Sequence, residues 1–324
     1  MALTDKIKAI ADAIRSKTGK TETMTMEQMV TEIEGIESGG GGGEKILYMD
    51  AALLNAGGAY PADADDYTTA VIPAEATFVS LEVFDNLPNI DTVIINGNCE
   101  FETYGEYDSS AKATVYRNAL VAADVSIRKL CIFGRDAIPN NFAQTMYSLA
   151  EVEIDACPSI GNYAFSNCRA LRRLTIGTMG DIWQYAFDSC YSLRRVDIQT
   201  AQGASPIFDR YSIGNAKIEE LVIPDGVTGI SAYAFYTCNK LKTVTIPASV
   251  GNIGSYAFPN IAMTIRGYAG SKAESFVVYC NTNMGCQYTF EVISQANGIE
   301  QKDDVLSISN NVNATQDGDV LIIQ

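Results

Sequence analysis

IGNYAFSNCRALRRLTI (160–176), IWQYAFDSCYSLRRVDI (182–198) and ISAYAFYTCNKLKTVTI (230–246) align without a gap. Each reads I-x-x-x-A-F-x-x-C-x-x-L-x-x-(L/V)-x-I, and the first two stand 22 residues apart. A fourth copy opens at Ile253 as IGSYAF and then decays. Outward from these, an apolar triplet recurs at Ile90/Val93/Ile95, Ile127/Leu130/Ile132, Leu149/Val152/Ile154, Leu171/Leu174/Ile176, Leu193/Val196/Ile198, Ile218/Leu221/Ile223 and Leu241/Val244/Ile246. Successive starts differ by 37, 22, 22, 22, 25 and 23 residues. A period held this long is the signature of a repeat architecture.

The spacing within a repeat predicts its parts. The last two triplet positions alternate with polar residues, as in a short strand with one face buried. The I-x-x-x-A-F segment has the spacing of one helical turn laid against that strand. One such unit cannot bury its apolar side, so units must stack. Stacking predicts an inward column of Phe84, Phe165, Phe187 and Phe235. A second column is Ile160, Ile182, Ile207, Ile230 and Ile253, and a third is Met146, Cys168, Cys190, Asn215 and Cys238. The third column calls for small, partly polar groups bonded to neighbouring backbone. Its cysteines are expected to be buried free thiols.

The motif AF-x-x-C-x-x-L-x-x-(L/V)-x-I, with LVIPDGVTGI (221–230) and VTIPASVGNI (244–253), resembles the BspA-like, Treponema-type leucine-rich repeat. The resemblance spans about residues 80–293. It implies a right-handed solenoid of short parallel strands joined by short helical or irregular turns, with a role in adhesion or protein recognition and no enzymatic activity. Within it, residues 264–293 resemble the helix-and-strand cap that closes such arrays.

Composition narrows the function classes. The 324 residues contain no histidine, which removes Ser-His-Asp and Cys-His catalysis and His-ligated metal sites. Twenty-three basic against 39 acidic residues leave a net charge of −16, a poor match to nucleic acid. The eight cysteines show no CxxC pair, so neither zinc nor a disulfide framework is implied, although a local Cys280–Cys286 bridge stays open. Neither a metal nor a cofactor is expected. No phosphate-binding loop is present either, because Gly39–Gly43 lack the Lys-Ser/Thr of a P-loop. Carboxylate pairs Glu151/Glu153 and Asp197/Glu220 leave a glycosidase as a distant alternative.

The chain divides into five parts. Residues 1–37 carry two short amphipathic helical patterns, expected to attach or oligomerise the chain, and they resemble N-terminal segments of prophage tail-associated proteins. Residues 38–43 form a Gly tether of roughly 12 Å r.m.s. span. The repeat array covers 44–268, with an insertion at about 96–126 whose Tyr104, Tyr107 and Tyr116 are candidate recognition residues; an enlarged coil or extra hairpin without a partner is its plainer explanation. The cap covers 269–293, and 294–324 read as one terminal hairpin that offers a second route to self-assembly.

No export signal or membrane span is visible, which favours a phage-tail setting over a cell-surface adhesin, the alternative. A purely structural subunit is a further alternative. The expected partner is a protein or glycan on a bacterial or host surface, without nucleic acid or membrane insertion. Contact is expected on the outward strand positions: Thr92, Lys129, Glu151, Glu153, Arg173, Thr175, Arg195, Asp197, Glu220, Thr243 and Thr245. Mutual neutralisation, with Glu151 beside Lys129 and Arg173 and Glu220 beside Arg195, is the competing account of those charges.

Overall fold

The computed structural model describes residues 45–54, 60–108, 113–122, 126–200 and 203–293, together with the backbone of four short strands beyond. The predicted helical segment 1–37 and the glycine run lie outside the described residues. From Lys45 onward the chain winds into a stack of coils, each contributing one short strand to a parallel ladder. Strands Ile46–Tyr48, Thr69–Ile72, Thr92–Asn96, Lys129–Phe133, Glu151–Ile160, Arg173–Ile182 and Arg195–Thr200 pair in that order. A second parallel set, Glu220–Val222, Thr243–Thr245, Met263–Gly267 and Tyr288–Val292, carries the same face onward. The break between the sets falls at the 25-residue coil. Backbone contact continues across it, with Lys217 N–H donating to the Leu193 carbonyl at 2.7 Å.

The triplets form the core as their spacing predicts. Ile90, Val93 and Ile95 are fully buried, and so are Ile127, Leu130 and Ile132. Val196 and Ile198 are only partly buried, because no strand of the second set pairs with theirs. Two coils precede the first triplet. Ala70 and Ile72 register on Val93 and Ile95, and Leu47 registers on Ala70.

The other side of each coil differs from the predicted helical turn. It carries short parallel pairings and, between them, non-helical turns. Ile160 registers on Ile182, Ile182 on Phe208, Phe208 on Ile230 and Ile230 on Ile253. Phe208, not Ile207, therefore fills the inward column. The longer coil shifts the register by one, and a one-residue shift reverses the face.

In the Tyr-Ala-Phe turns and the equivalent Tyr-Ser-Ile turn, Tyr163, Tyr185, Tyr211, Tyr233 and Tyr256 have φ between 53° and 65°. A second left-handed residue follows four positions later at Asn167 (62°), Ser189 (60°) and Asn215 (55°). These twists send alternate N–H groups to the next coil. Tyr163, Phe165 and Asn167 donate to the carbonyls of Gln184, Ala186 and Asp188 at 3.1, 2.8 and 2.9 Å. A helix would have kept those bonds inside one coil. From Asn141 onward, neighbouring coils thus bond one another at the turn as well as on the strand side.

One further correction concerns the cysteine column. Asn215 aligns with the left-handed Asn167 and Ser189, so Ala216 occupies the cysteine position and is buried. Asparagine tolerates the left-handed region better than most residues, which explains the identity one place earlier. The column's cysteines do bond backbone: the thiols of Cys168, Cys190 and Cys238 donate to the carbonyls of Ala143, Phe165 and Ile213 at 3.2, 3.3 and 3.2 Å. All eight cysteines are free and buried, Cys280 and Cys286 included.

Phe165 stacks on Phe187 at 5.1 Å and Phe235 on Phe258 at 5.6 Å, completing the interior. Each fully buried aromatic contributes about 1.5–3 kcal/mol.

The insertion forms an antiparallel hairpin, Thr103–Asp108 with Ala113–Asn118, beside the array. At the far end, helix Lys272–Asn283 and strand Tyr288–Val292 close the stack. Beyond them two hairpins stand where one was expected: Ile299–Lys302 pairs with Val305–Ile308, and Ala314–Asp317 with Val320–Ile323. The alternating stretch 304–323 is therefore divided between them, its first strand pairing backward rather than across the Asn/Asp/Gly segment.

Candidate functional site

Parallel register places the predicted contact residues in two columns. Thr92, Lys129, Glu151, Arg173 and Arg195 are successive partners in one. Ile94, Cys131, Glu153, Thr175 and Asp197 form the next. Glu220 with Thr243, and Val222 with Thr245, are partners in the second strand set.

Lys129 Nζ lies 3.1 Å from Glu153 and 4.0 Å from Glu151. Burial acts to lower the Lys129 pKa, but neighbouring Cys131, Glu153 and Glu151 outweigh it, and the net direction is upward. Arg195 Nε pairs with Asp197 on its own strand at 2.7 Å, not with Glu220. Residues two apart on a strand share a face, which brings these two together. Arg173 is exposed and makes no ion pair among the described residues, so Glu151 does not neutralise it as expected. Cys131 occupies an outward position yet is buried, its Sγ 3.8 Å from Glu153 Oε2. Burial raises its thiol to about 12. Tyr104, Tyr107 and Tyr116 lie on the hairpin strands, and their side chains are outside the described set.

Sequence reasoning missed an aromatic surface on the turn side. Tyr163, Tyr185, Tyr211, Tyr233 and Tyr256 stack ring on ring at 4.9, 5.1, 5.6 and 5.5 Å. Arg210 lies over Tyr233 at 4.7 Å and Tyr211 at 5.6 Å. At the position just after the cysteine column, Arg169 stands between Tyr147 and Tyr191 at 5.2 and 6.0 Å. The signal was available: tyrosine precedes Ala-Phe in all four copies and heads YSI at Tyr211. Against this ladder lies an open cleft of about 600 Å³, lined by Trp183, Tyr163, Asn140, Asn162, Gln184 and Asp209 among others.

A model of the BspA type leucine rich repeat region matches residues 137–264 and 206–312, in six copies and over more than half of the chain. The chain belongs to the BspA-type leucine-rich-repeat family. No curated protein is a significant match.

Among solved structures, this BspA-type chain is similar to a leucine-rich repeat protein from Bacteroides ovatus at 15% identity. That alignment covers 70% of this chain and 66% of that one, with a TM-score of 0.35. It is also similar to the T. pallidum leucine rich repeat protein, at 14% identity over 59% of this chain and 97% of that one, TM-score 0.35. A leucine rich cell surface protein from Faecalibacterium prausnitzii matches at 17% identity, 61% and 68% coverage and a TM-score of 0.22. Among the described residues no helix is long and apolar enough to cross a membrane.

Proposed function

We propose that this chain is a non-enzymatic binding protein of a bacterial cell surface, attaching through its repeat array to a protein on a facing surface. Membership of the BspA-type family supports the adhesive role and the cell-surface setting. The phage-tail setting rests on the sequence reading alone.

The observation that carries the strand face as contact surface is Arg173, exposed and without an ion pair among the described residues. It stands between Glu151 and Arg195 on a ladder held by backbone bonds. A cation fixed at a defined place on a rigid sheet, within a chain of net charge −16, selects partners by electrostatic complementarity.

The test uses beads coated with the full chain and scored for attachment to bacterial and epithelial cell layers. Reversing both charges (Arg173→Glu with Arg195→Glu) is expected to lower attachment about tenfold, an effect that fades in high salt. Stability should shift by less than about 1 kcal/mol, because both side chains are exposed. Unchanged attachment would remove the strand face from consideration and point to the Tyr104/Tyr107/Tyr116 hairpin.

A further inference from the structure

We infer that the cleft around Trp183 is a binding subsite for a neutral carbohydrate, a site separate from the strand face. Two aromatic faces without a partner border it. Within the tyrosine ladder each inner ring is covered by its neighbours on both sides. At Tyr163 the ladder ends, because the preceding coil carries Asn141 at the equivalent position. One face of Tyr163 is therefore open, and the residue is 40% exposed. Trp183, at 39% exposure, makes no ring contact with any described residue. An indole in that state would ordinarily pack against something apolar. Here it borders the cleft instead.

The polar lining points to the ligand's chemistry. Asn140 Oδ1 accepts from the Asn162 backbone N–H at 2.7 Å, which fixes its amide with the Nδ2 donor still available. Asp209 Oδ1 accepts from the Arg210 N–H at 2.7 Å, leaving its other oxygen available. The side chains of Asn162 and Gln184 make no hydrogen bond among the described residues. Three amides and a carboxylate beside two bare aromatic faces suit a pyranose ring. Its C–H face lies on an aromatic surface, and each of its hydroxyls both donates and accepts.

A proline-rich peptide would use the aromatic faces but leave the amides unmatched. An acidic sugar would meet Asp209 with no cation lining the cleft. A second cleft of about 540 Å³ shares Asn140, Asn162 and Trp183 with the first, so the site extends to either side of the indole. That extent fits an oligosaccharide rather than a single ring.

The inference rests on the array being a binding scaffold, but not on its charged face. Trp183 is the single tryptophan of the chain, so indole fluorescence reports on this cleft alone. The full chain is screened on an array of neutral gluco-, galacto-, manno- and N-acetylglucosamine oligosaccharides, with oligosialic acid and octaproline as comparators. Hits are then titrated. The expected result is a saturable fluorescence change with at least one neutral oligosaccharide.

By calorimetry, Trp183→Ala should weaken that binding at least about tenfold, and Gln184→Ala with Asn162→Ala several-fold, while Trp183→Phe retains most of it. The Arg173/Arg195 double reversal should leave glycan binding intact, which separates failure of this site from failure of the strand face. Three outcomes would overturn the inference: no neutral oligosaccharide binding, equal binding to Trp183→Ala, or a response to octaproline or oligosialic acid alone.

Discussion

A thiol inside this solenoid shows how one atom is held by its surroundings. Cys190 is fully buried, and its Sγ reaches the Phe165 carbonyl of the preceding coil. Cys238 repeats the arrangement, and burial pushes its pKa to about 12 and that of Cys190 higher still. The ordinary thiol value is 9.0, so in each case the folded pKa is raised. An unfolded chain therefore loses these protons first. The stabilisation from the neutral buried thiols is complete below about pH 9 and is lost as pH rises toward the folded values. Each thiol should contribute a slope of about 1.4 kcal/mol per pH unit above pH 9. Urea titrations from about pH 8 to 10 are expected to show stability falling more steeply in the wild type than in a Cys190→Ala, Cys238→Ala variant. Parallel slopes would mean that the thiols ionise in place. The sequence already marked these positions as small and inward-facing, because cysteine recurred at a fixed place. It misled at Asn215, where a backbone twist dictated the residue and the core position behind it, Ala216, left no distinctive letter.

The strand and the turn of each coil were unequally legible. Strand positions announce themselves through alternation, since every second side chain must be apolar. The turn has no such period. Its shape comes from left-handed residues whose cost, roughly 1–2 kcal/mol each, is offset by bonds and rings in the next coil. Tyr185 illustrates the balance. Its φ is 58°, its N–H donates to the Arg210 carbonyl, and its ring lies between Tyr163 and Tyr211. Replacing it separates the contributions. Tyr185→Gly loses the stacking but relieves the backbone, whereas Tyr185→Val loses the stacking and adds a β-branched residue where φ is positive. Thermal unfolding should place the glycine variant about 1 kcal/mol below wild type and the valine variant about 2–4 kcal/mol below. If valine proved the milder substitution, the left-handed turn would not be the element that ties neighbouring coils. The tyrosine surface was hard to read for the same physical reason. A residue chosen for stacking between coils has no signature within one coil.

In the whole molecule, stability is carried from coil to coil, since each unit touches only its neighbours. The array was expected to begin at residue 44, yet its first two coils showed no triplet in the sequence; in the second, Ala70 stands where later repeats have Val or Leu, and a methyl group is a faint signal. The far end was legible because closing a stack demands more. Its last coil must cover Phe258 and the open edge of Met263–Gly267. Phe276 of helix Lys272–Asn283 meets Phe258 edge-on at 6.0 Å. The Tyr288 hydroxyl reaches the carbonyls of Phe258 and Pro259 at 3.3 and 3.0 Å. Strand Tyr288–Val292 occupies the edge. Truncation after Tyr268 would uncover that ring, two backbone acceptors and a five-residue edge together. Exposed edges and apolar ends pair with whatever is available, including another copy. Light scattering after gel filtration should therefore show the truncated chain associating at concentrations where the full chain does not. Hydrogen exchange should show protection lost progressively from Met263–Gly267 inward, while Glu151–Ile160 keeps most of its own. Uniform loss across all strands would indicate a single cooperative unit. It would then be the cap, rather than the local pairing of coils, on which the array as a whole depends.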